Sequence, residues 1–432
     1  MGNQRILFDL TDFRSFRRRH SHLTGIQRVV FEVGRRLRDD AELDFACFFY
    51  DEFADRFHFA DPALLDVPDT GPEGPAGSAV PRAGLKHRVR TLARRVAGIA
   101  GPLRPMLRRS ELARRAYGVA RRAVSPEVKT ESIAFRPDDV VVVLGAPWES
   151  ARMLERLVRE QQEHGFEVAT MVYDLIPADY PQFVFPHTVE LFTSALRKVL
   201  AFSSAITVIS EATKRSLLHW CAEEGIEAPP ITVTYLGDDF HRPDQSTRPA
   251  GFPDGDFVLA VSTVEPRKNY TVLYQAVQQA RLDGVELPRI VIVGRAGWKT
   301  DDLQDLLRND PSLAGRLIWL DRVQDEELAW LYENTLFTLF PSIIEGWGLP
   351  VSESIHFGKF CISSGLSSMP EIAGDLVEYV SPYDSAAWYR AIHRYASDRE
   401  LLAAREERIR TDYRGRRWGE TASQVRAALP LR

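Results

Sequence analysis

Two short stretches of this sequence combine residues that could do chemistry. The first is Glu345-Gly-Trp-Gly-Leu-Pro-Val-Ser-Glu353, which follows the apolar run LFTLF (336–340) and Pro341-Ser342. Two carboxylates eight residues apart bracket a Gly-x-Gly-x-Pro turn. Pro350 suits the first position of a helix, where a missing N–H costs nothing. Gly346 and Gly348 let backbone amides come close to a ligand, and amides at a helix start favour a phosphate or diphosphate. Glu345 then lies beside the phosphate-linked group. Glu353, one turn into the helix, is placed to accept hydrogen bonds from vicinal hydroxyls. The second stretch is Ser262-Thr-Val-Glu-Pro-Arg-Lys-Asn269, after the run FVLAVS (257–262). Arg267 and Lys268 pair a planar donor fork with a point charge, the combination that suits a diphosphate. Cations at a helix start oppose its dipole, so an anion is expected to complete them. A third loop, Leu23-Thr-Gly25-Ile-Gln-Arg28, also opens a helix, and on its own its glycine is commonplace.

These loops need elements to hold them. Short apolar runs alternate with helical patterns along most of the chain: RILFDL (5–10), DFACFFY (44–50), DVVVVLG (139–145), EVATMVYD (167–174), AITVIS (205–210) and ITVTYL (231–236), then FVLAVS, RIVIVG (289–294), RLIWL (316–320), LFTLF, FCIS (360–363) and VEYV (377–380). Continuous apolar runs mark strands covered on both faces. Helices are expected at 151–164, 187–201, 211–224, 268–282, 325–333, 386–398 and 400–427. Repeated β–helix–β units mean doubly wound parallel sheets, and the Gly/Pro/Asp-rich stretch 237–256 splits them into two. Ligands of such sheets sit beyond the carboxyl ends of strands, where the three loops fall.

Composition narrows the class. With 432 residues, 44% hydrophobic and 27% charged, the chain is an ordinary globular protein of more than one domain. No uncharged apolar run approaches the ~20 residues of a spanning helix, and Asp9 and Asp12 interrupt the apolar start. Cys47, Cys221 and Cys361 lack metal-ligand spacing and read as reduced thiols of the cytoplasm. No metal is expected: Asp254-Gly-Asp256 reads as a turn, and His20 and His22 follow three arginines that repel a cation. Residues 81–124 hold twelve Arg and one Lys against Glu111, a net +12, which leaves −17 for the rest of a chain totalling −5. Within it Leu85, Val89, Leu92, Val96 and Ile99 form one helical stripe opposite His87, Arg90 and Arg94. A cationic amphipathic segment of this kind suits an anionic membrane surface. No nucleic-acid-binding pattern accompanies the charge.

Taken in order, TGIQRVVFEV, VYDLIPADYP (172–181), TVISEATKRSL (207–217), VSTVEPRKNY (261–270), VGRAGW (293–298), DEELAWLYENTLFTLFPSIIEGWGLPVSESI (325–355) and MPEIAGD (369–375) resemble the retaining glycosyltransferases of family four, and in particular bacterial mannosyltransferases of surface-polysaccharide assembly. The resemblance implies the GT-B fold, two Rossmann-like domains facing a cleft: an acceptor-binding domain over 1–245 carrying the 81–124 insertion, a nucleotide-sugar-binding domain over 246–410, and a C-terminal helix over 411–432 that crosses back. It implies that Glu345 engages the donor sugar, that Glu353 holds the ribose, and that Arg267 and Lys268 bind the diphosphate. Asp174 is implied at the sugar's distal hydroxyls, after Tyr173 where many members have His. Gly25, Gly294, Gly346, Trp347, Gly348 and Leu349 complete the donor site, with Arg322 and Val323 at the base. The implied reaction needs no cofactor. It moves a hexose, mannose from GDP-mannose as a first choice, onto a lipid-linked glycan at the inner membrane face. A fold that has lost turnover and only binds nucleotide or glycan, or serves as a membrane scaffold, is the alternative.

Overall fold

A computed structural model describes residues 4–18, 23, 25–66, 131–239, 242–313 and 315–432. The basic segment 81–124 and its apolar stripe, with His20 and His22, lie outside the described residues. Among the described residues thirteen strands form two sheets. The first contains β1 (Arg5–Asp9), β2 (Asp44–Asp51), β3 (Arg56–Ala60), β4 (Val140–Val143), β5 (Glu167–Val172), β6 (Ala205–Val208) and β7 (Ile231–Val233), in the spatial order β3-β2-β1-β4-β5-β6-β7. The second contains β8 (Phe257–Val261), β9 (Arg289–Val293), β10 (Leu317–Leu320), β11 (Thr338–Phe340), β12 (Cys361–Ser364) and β13 (Glu378–Val380), in the order β10-β9-β8-β11-β12-β13.

The apolar runs became these strands because both faces are covered. Val140 to Val143 are buried throughout, as are Ile290 to Val293, each side chain contributing about 1.5–3 kcal/mol by leaving water. Helix ends follow local chemistry. Ser150 and Ser210 accept from the amides of Met153 and Thr213 at the starts of the helices Ala151–His164 and Glu211–Glu224, and Gly165 and Gly225 close them in the left-handed conformation. Among the described residues no helix is long and apolar enough to cross a membrane.

The structure corrects three expectations. β3 pairs antiparallel with β2, Phe48 opposite Phe59 and Tyr50 opposite Phe57, so the first sheet is not wholly parallel. Its RFHFA sequence alternates rather than running apolar, the pattern of an edge strand. The helix expected from 268 begins at Tyr270, since Pro266–Lys268 form a 3₁₀ turn and Asn269 is left-handed (φ 58°). The continuous helix expected over 400–427 is two, Arg399–Asp412 and Trp418–Ala427. Between them the chain is drawn onto 237–239. The Tyr413 hydroxyl donates to the Asp238 carboxylate, the Trp418 amide donates to Asp239 (2.8 Å), and a Cβ at Gly237 would lie 2.6 Å from the Trp418 nitrogen.

By internal packing the chain forms two compact units, one of 1–170, 201–204 and 429–432, the other of 171–200 and 205–428. The second unit carries the whole six-stranded sheet and the loops that follow its strands.

Candidate active site

The six-stranded sheet grows in opposite directions from its middle. After β8 the chain adds β9 and β10 on one side, then returns to place β11, β12 and β13 on the other. β8 and β11 are therefore the switch point, where loops diverge and leave room for a ligand. The loop after β8 carries Glu265, Arg267 and Lys268; the loop after β11 carries Ser342 and Glu345. The backbone ties the two together: the Ile343 amide donates to the Arg267 carbonyl at 2.8 Å. Asn269 reaches across as well, its Nδ2 donating to the carbonyls of Pro341 (3.2 Å) and Pro382 (2.7 Å).

Glu345 is the centre of the arrangement. Its Oε2 accepts from Arg267 Nη1 at 2.6 Å, and its Oε1 from Lys268 Nζ and from Ser342 Oγ at 2.5 Å. Arg267 is shared: its Nε donates to Glu265 Oε2 at 3.0 Å and its Nη1 to the Ile344 carbonyl at 3.2 Å. Lys268 Nζ also lies 5.2 Å from the centre of the Phe340 ring. Glu265, Lys268 and Glu345 are all buried. Burial alone would raise the Glu345 carboxyl; Arg267, Lys268 and the Ser342 hydroxyl outweigh it and hold the group at about 2. Asp174, after β5, is raised by desolvation against the pull of Arg267, while the Ile176 amide donates to it at 3.0 Å. Two cations and three carboxylates thus share one enclosed place.

This arrangement revises the reason given for Arg267 and Lys268. They precede the helix rather than sit on its first turn, and Glu345 and Glu265 already compensate them. Pro350 is the second residue of the helix Leu349–His356, not the first. Glu353, the fifth, accepts from the Tyr332 hydroxyl at 2.9 Å. Gly346 is demanded by packing, since a Cβ there would lie 2.3 Å from the Tyr173 carbonyl oxygen, and Gly348 has φ 127°. Gly294 (φ 151°) is demanded still more strictly, its Cβ falling 2.0 Å from the Ser262 carbonyl oxygen. Trp347 is buried, 5.7 Å from the Tyr235 ring, with the Arg416 guanidinium over both rings. Arg322 is exposed after β10, and Val323 packs against the cluster of Phe252, Leu331 and Tyr332. Gly25 (φ 51°) heads the helix Ile26–Arg38 in the first unit, with open space where a Cβ would be. Among the described residues the one group of acids and histidine close enough to share a metal is Glu160, Glu163 and His164, on a helix of the first unit. Asp254 pairs with Arg248 and Asp256 with Arg399.

Sequence reasoning missed Glu265, Ser342, Tyr332 and Arg416. The first lay inside a quoted motif without a role. Ser342 stands three residues before Glu345, beside the motif, but a lone serine carries no signal of its own; Tyr332 and Arg416 are common residue types whose partners are distant in sequence.

Residues 243–416 match the family of glycosyl transferases group 1. The region so matched includes β8 to β13 and every cation and carboxylate of the cluster except Asp174. The serotype-specific mannosyltransferase WbdA of Escherichia coli is 25% identical over 279 residues, 60% of this chain and 32% of that protein. The O-antigen chain mannosyltransferase B of the same species is 32% identical over 152 residues, 34% of this chain and 40% of the relative. The chain thus spans about a third of the length of WbdA. Among solved structures, HepE of Anabaena in complex with UDP and glucose superposes with a TM-score of 0.60 at 14% identity, covering 99% of both chains. The lipopolysaccharide outer core galactosyltransferase WaaB, in its apo form, gives 0.51 at 15% identity over 98% of this chain and 99% of that one. The fold is GT-B, and the chain resembles bacterial mannosyltransferases of surface polysaccharides.

Proposed function

We propose that this chain is a glycosyltransferase that moves a hexose from a sugar nucleotide to a hydroxyl of a growing surface glycan, with retention at the anomeric carbon. The observation that carries the reading is the Glu345–Arg267–Lys268 cluster at the β8/β11 switch point. A lone buried carboxylate would be protonated; here two cations keep it ionised, and they are the charges a diphosphate would need. On donor binding the phosphate oxygens take over Arg267 and Lys268, which frees the Glu345 carboxylate to accept from hydroxyls of the sugar. Cleavage of the anomeric C–O bond puts negative charge on the leaving diphosphate, and cations fixed beforehand stabilise it, usually the largest catalytic contribution. The leaving oxygen accepts the proton of the attacking hydroxyl on the same face of the sugar, so retention needs no protein nucleophile. Arg267 and Lys268 supply the positive charge that a metal supplies in other transferases, and turnover should persist in excess chelator.

GDP-mannose is the first choice of donor, supported by the mannosyltransferase relatives, and a lipid-linked glycan the first choice of acceptor. Segment 81–124 would dock the enzyme on an anionic membrane at the cytoplasmic face. In liposome co-sedimentation the wild type should pellet and a deletion of 82–124 should not; equal pelleting would end that part of the reading. For the activity itself, a thermal-shift panel of nucleoside diphosphates and sugar nucleotides is decisive. A ligand at about 100 times its Kd adds ~2.7 kcal/mol, and no response to any member would refute the assignment.

A further inference from the structure

The cluster at the switch point holds more negative than positive charge before any ligand arrives. Glu265, Glu345 and Asp174 face Arg267, Glu265 and Glu345 also face Lys268, and a diphosphate adds further anionic oxygens. A buried site does not absorb such an excess unchanged, because uncompensated charge in a poorly solvated place costs several kcal/mol per ion. The three carboxylates are not equally provided for. Glu345 accepts from Arg267, Lys268 and Ser342, and when the cations turn to the phosphates it keeps Ser342 and gains the hydroxyls of the sugar. Asp174 keeps the Ile176 amide, a backbone donor that stays where it is. Glu265 has, among the described residues, one side-chain donor, the Nε of Arg267 at 3.0 Å. When Arg267 turns its fork to the phosphates, Glu265 loses that partner.

Resting on the functional reading above, we propose that the donor enters this cluster together with a proton and that Glu265 is the carboxylate that takes it. The surroundings of Glu265 fit that role. It is buried, and its methylenes lie under the loop after β9, where a Cβ at Gly297 would meet its Cγ at 2.7 Å. The charged and titratable groups facing it are Arg267 and Lys268 from its own turn, Glu345 from the loop after β11 and Tyr270 from the head of the following helix. Burial already raises its carboxyl, opposed by Arg267 and Lys268; withdrawing the guanidinium removes the larger opposition. Protonation balances the exchange: one O–H forms on Glu265, the proton comes from solvent, and the ionised donor stays intact.

Calorimetric titration with GDP-mannose and with UDP-glucose, in buffers of different ionisation enthalpy, counts the protons directly. Sugar nucleotides are the proper probes because neither of their esterified phosphates titrates near neutrality. For the donor that binds, the wild type should take up as much as about one proton, and its affinity should fall by up to about tenfold per pH unit above neutrality. Glu265→Gln should still bind that donor, with no uptake and a flat pH profile, whereas Asp174→Asn should keep the uptake. Binding without proton uptake, or uptake undiminished in Glu265→Gln, would overturn the inference and leave the functional reading standing. Binding of neither donor would overturn both. If the Gln variant does not fold, Asp174→Asn decides: uptake and pH slope kept in that variant support Glu265, and their loss overturns the inference.

Discussion

Glu345 is both the support of the resting site and the rival of the ligand, and Glu345→Gln separates these roles. The carboxyl drops from an ordinary 4.5 to about 2 in the folded protein. At ~1.4 kcal/mol per pH unit that depression is worth about 3 kcal/mol. Because the folded value is the lower one, the contribution is complete above pH ~4.5 and is lost as the pH falls toward 2. The Gln variant should therefore unfold more readily at pH 7 by a few kcal/mol, with Arg267 and Lys268 left facing an amide, and the difference should shrink in acid. Its ligand response should move the other way. With the competing carboxylate gone, a nucleoside diphosphate meets a lysine without its carboxylate and an arginine held by Glu265 alone, and should raise the melting temperature of the variant more than that of the wild type. Transfer should be nearly abolished. Differential scanning fluorimetry across pH, with and without diphosphate, measures both effects. A variant that is destabilised yet gains less from diphosphate than the wild type would refute the proposed exchange of partners.

Lys268→Ala should reduce kcat by roughly 10²–10³, the usual cost of losing one preorganised charge-stabilising donor, measurable as product formed per enzyme at saturating donor. Gly294→Ala should cost more than about 3 kcal/mol, since a Cβ 2.0 Å from the Ser262 carbonyl oxygen forces the β8 and β9 loops apart at a φ of 151°; chemical denaturation tests it. Tyr332→Phe removes the 2.9 Å hydrogen bond to Glu353 and should raise the donor KM several-fold while kcat holds, as expected where the bond positions a group that grips the nucleotide rather than the reacting bond.

Much of the fold was legible because its strands are buried on both faces and so appear as unbroken apolar runs. VVVV at 140–143 and RIVIV at 289–293 could be little else. The helices 151–164 and 211–224 were legible to the residue because serine opens and glycine closes each of them. What escaped depends on contacts the local sequence does not encode. RFHFA at 56–60 alternates as an edge strand does and is held by its hairpin partner, and the break at Tyr413–Arg417 comes from Gly237, Asp238 and Asp239, far back in the chain. The site divides in the same way. Glycines around two carboxylates, and adjacent cations at a strand end, announced Glu345, Arg267 and Lys268. That the cations would be found bound to Glu345 itself was hidden, because residues 78 apart meet only when β8 and β11 lie side by side. Ser342 and Glu265 acquire their significance from that meeting.

On binding, a diphosphate should displace Glu345 from Arg267 and Lys268. A crystal structure with bound nucleoside diphosphate tests it most directly. Phosphate oxygens should lie within hydrogen-bonding distance of Arg267 and Lys268, with Glu345 parted from at least one of them. A diphosphate seated elsewhere, or one that leaves both ion pairs to Glu345 intact, would contradict it.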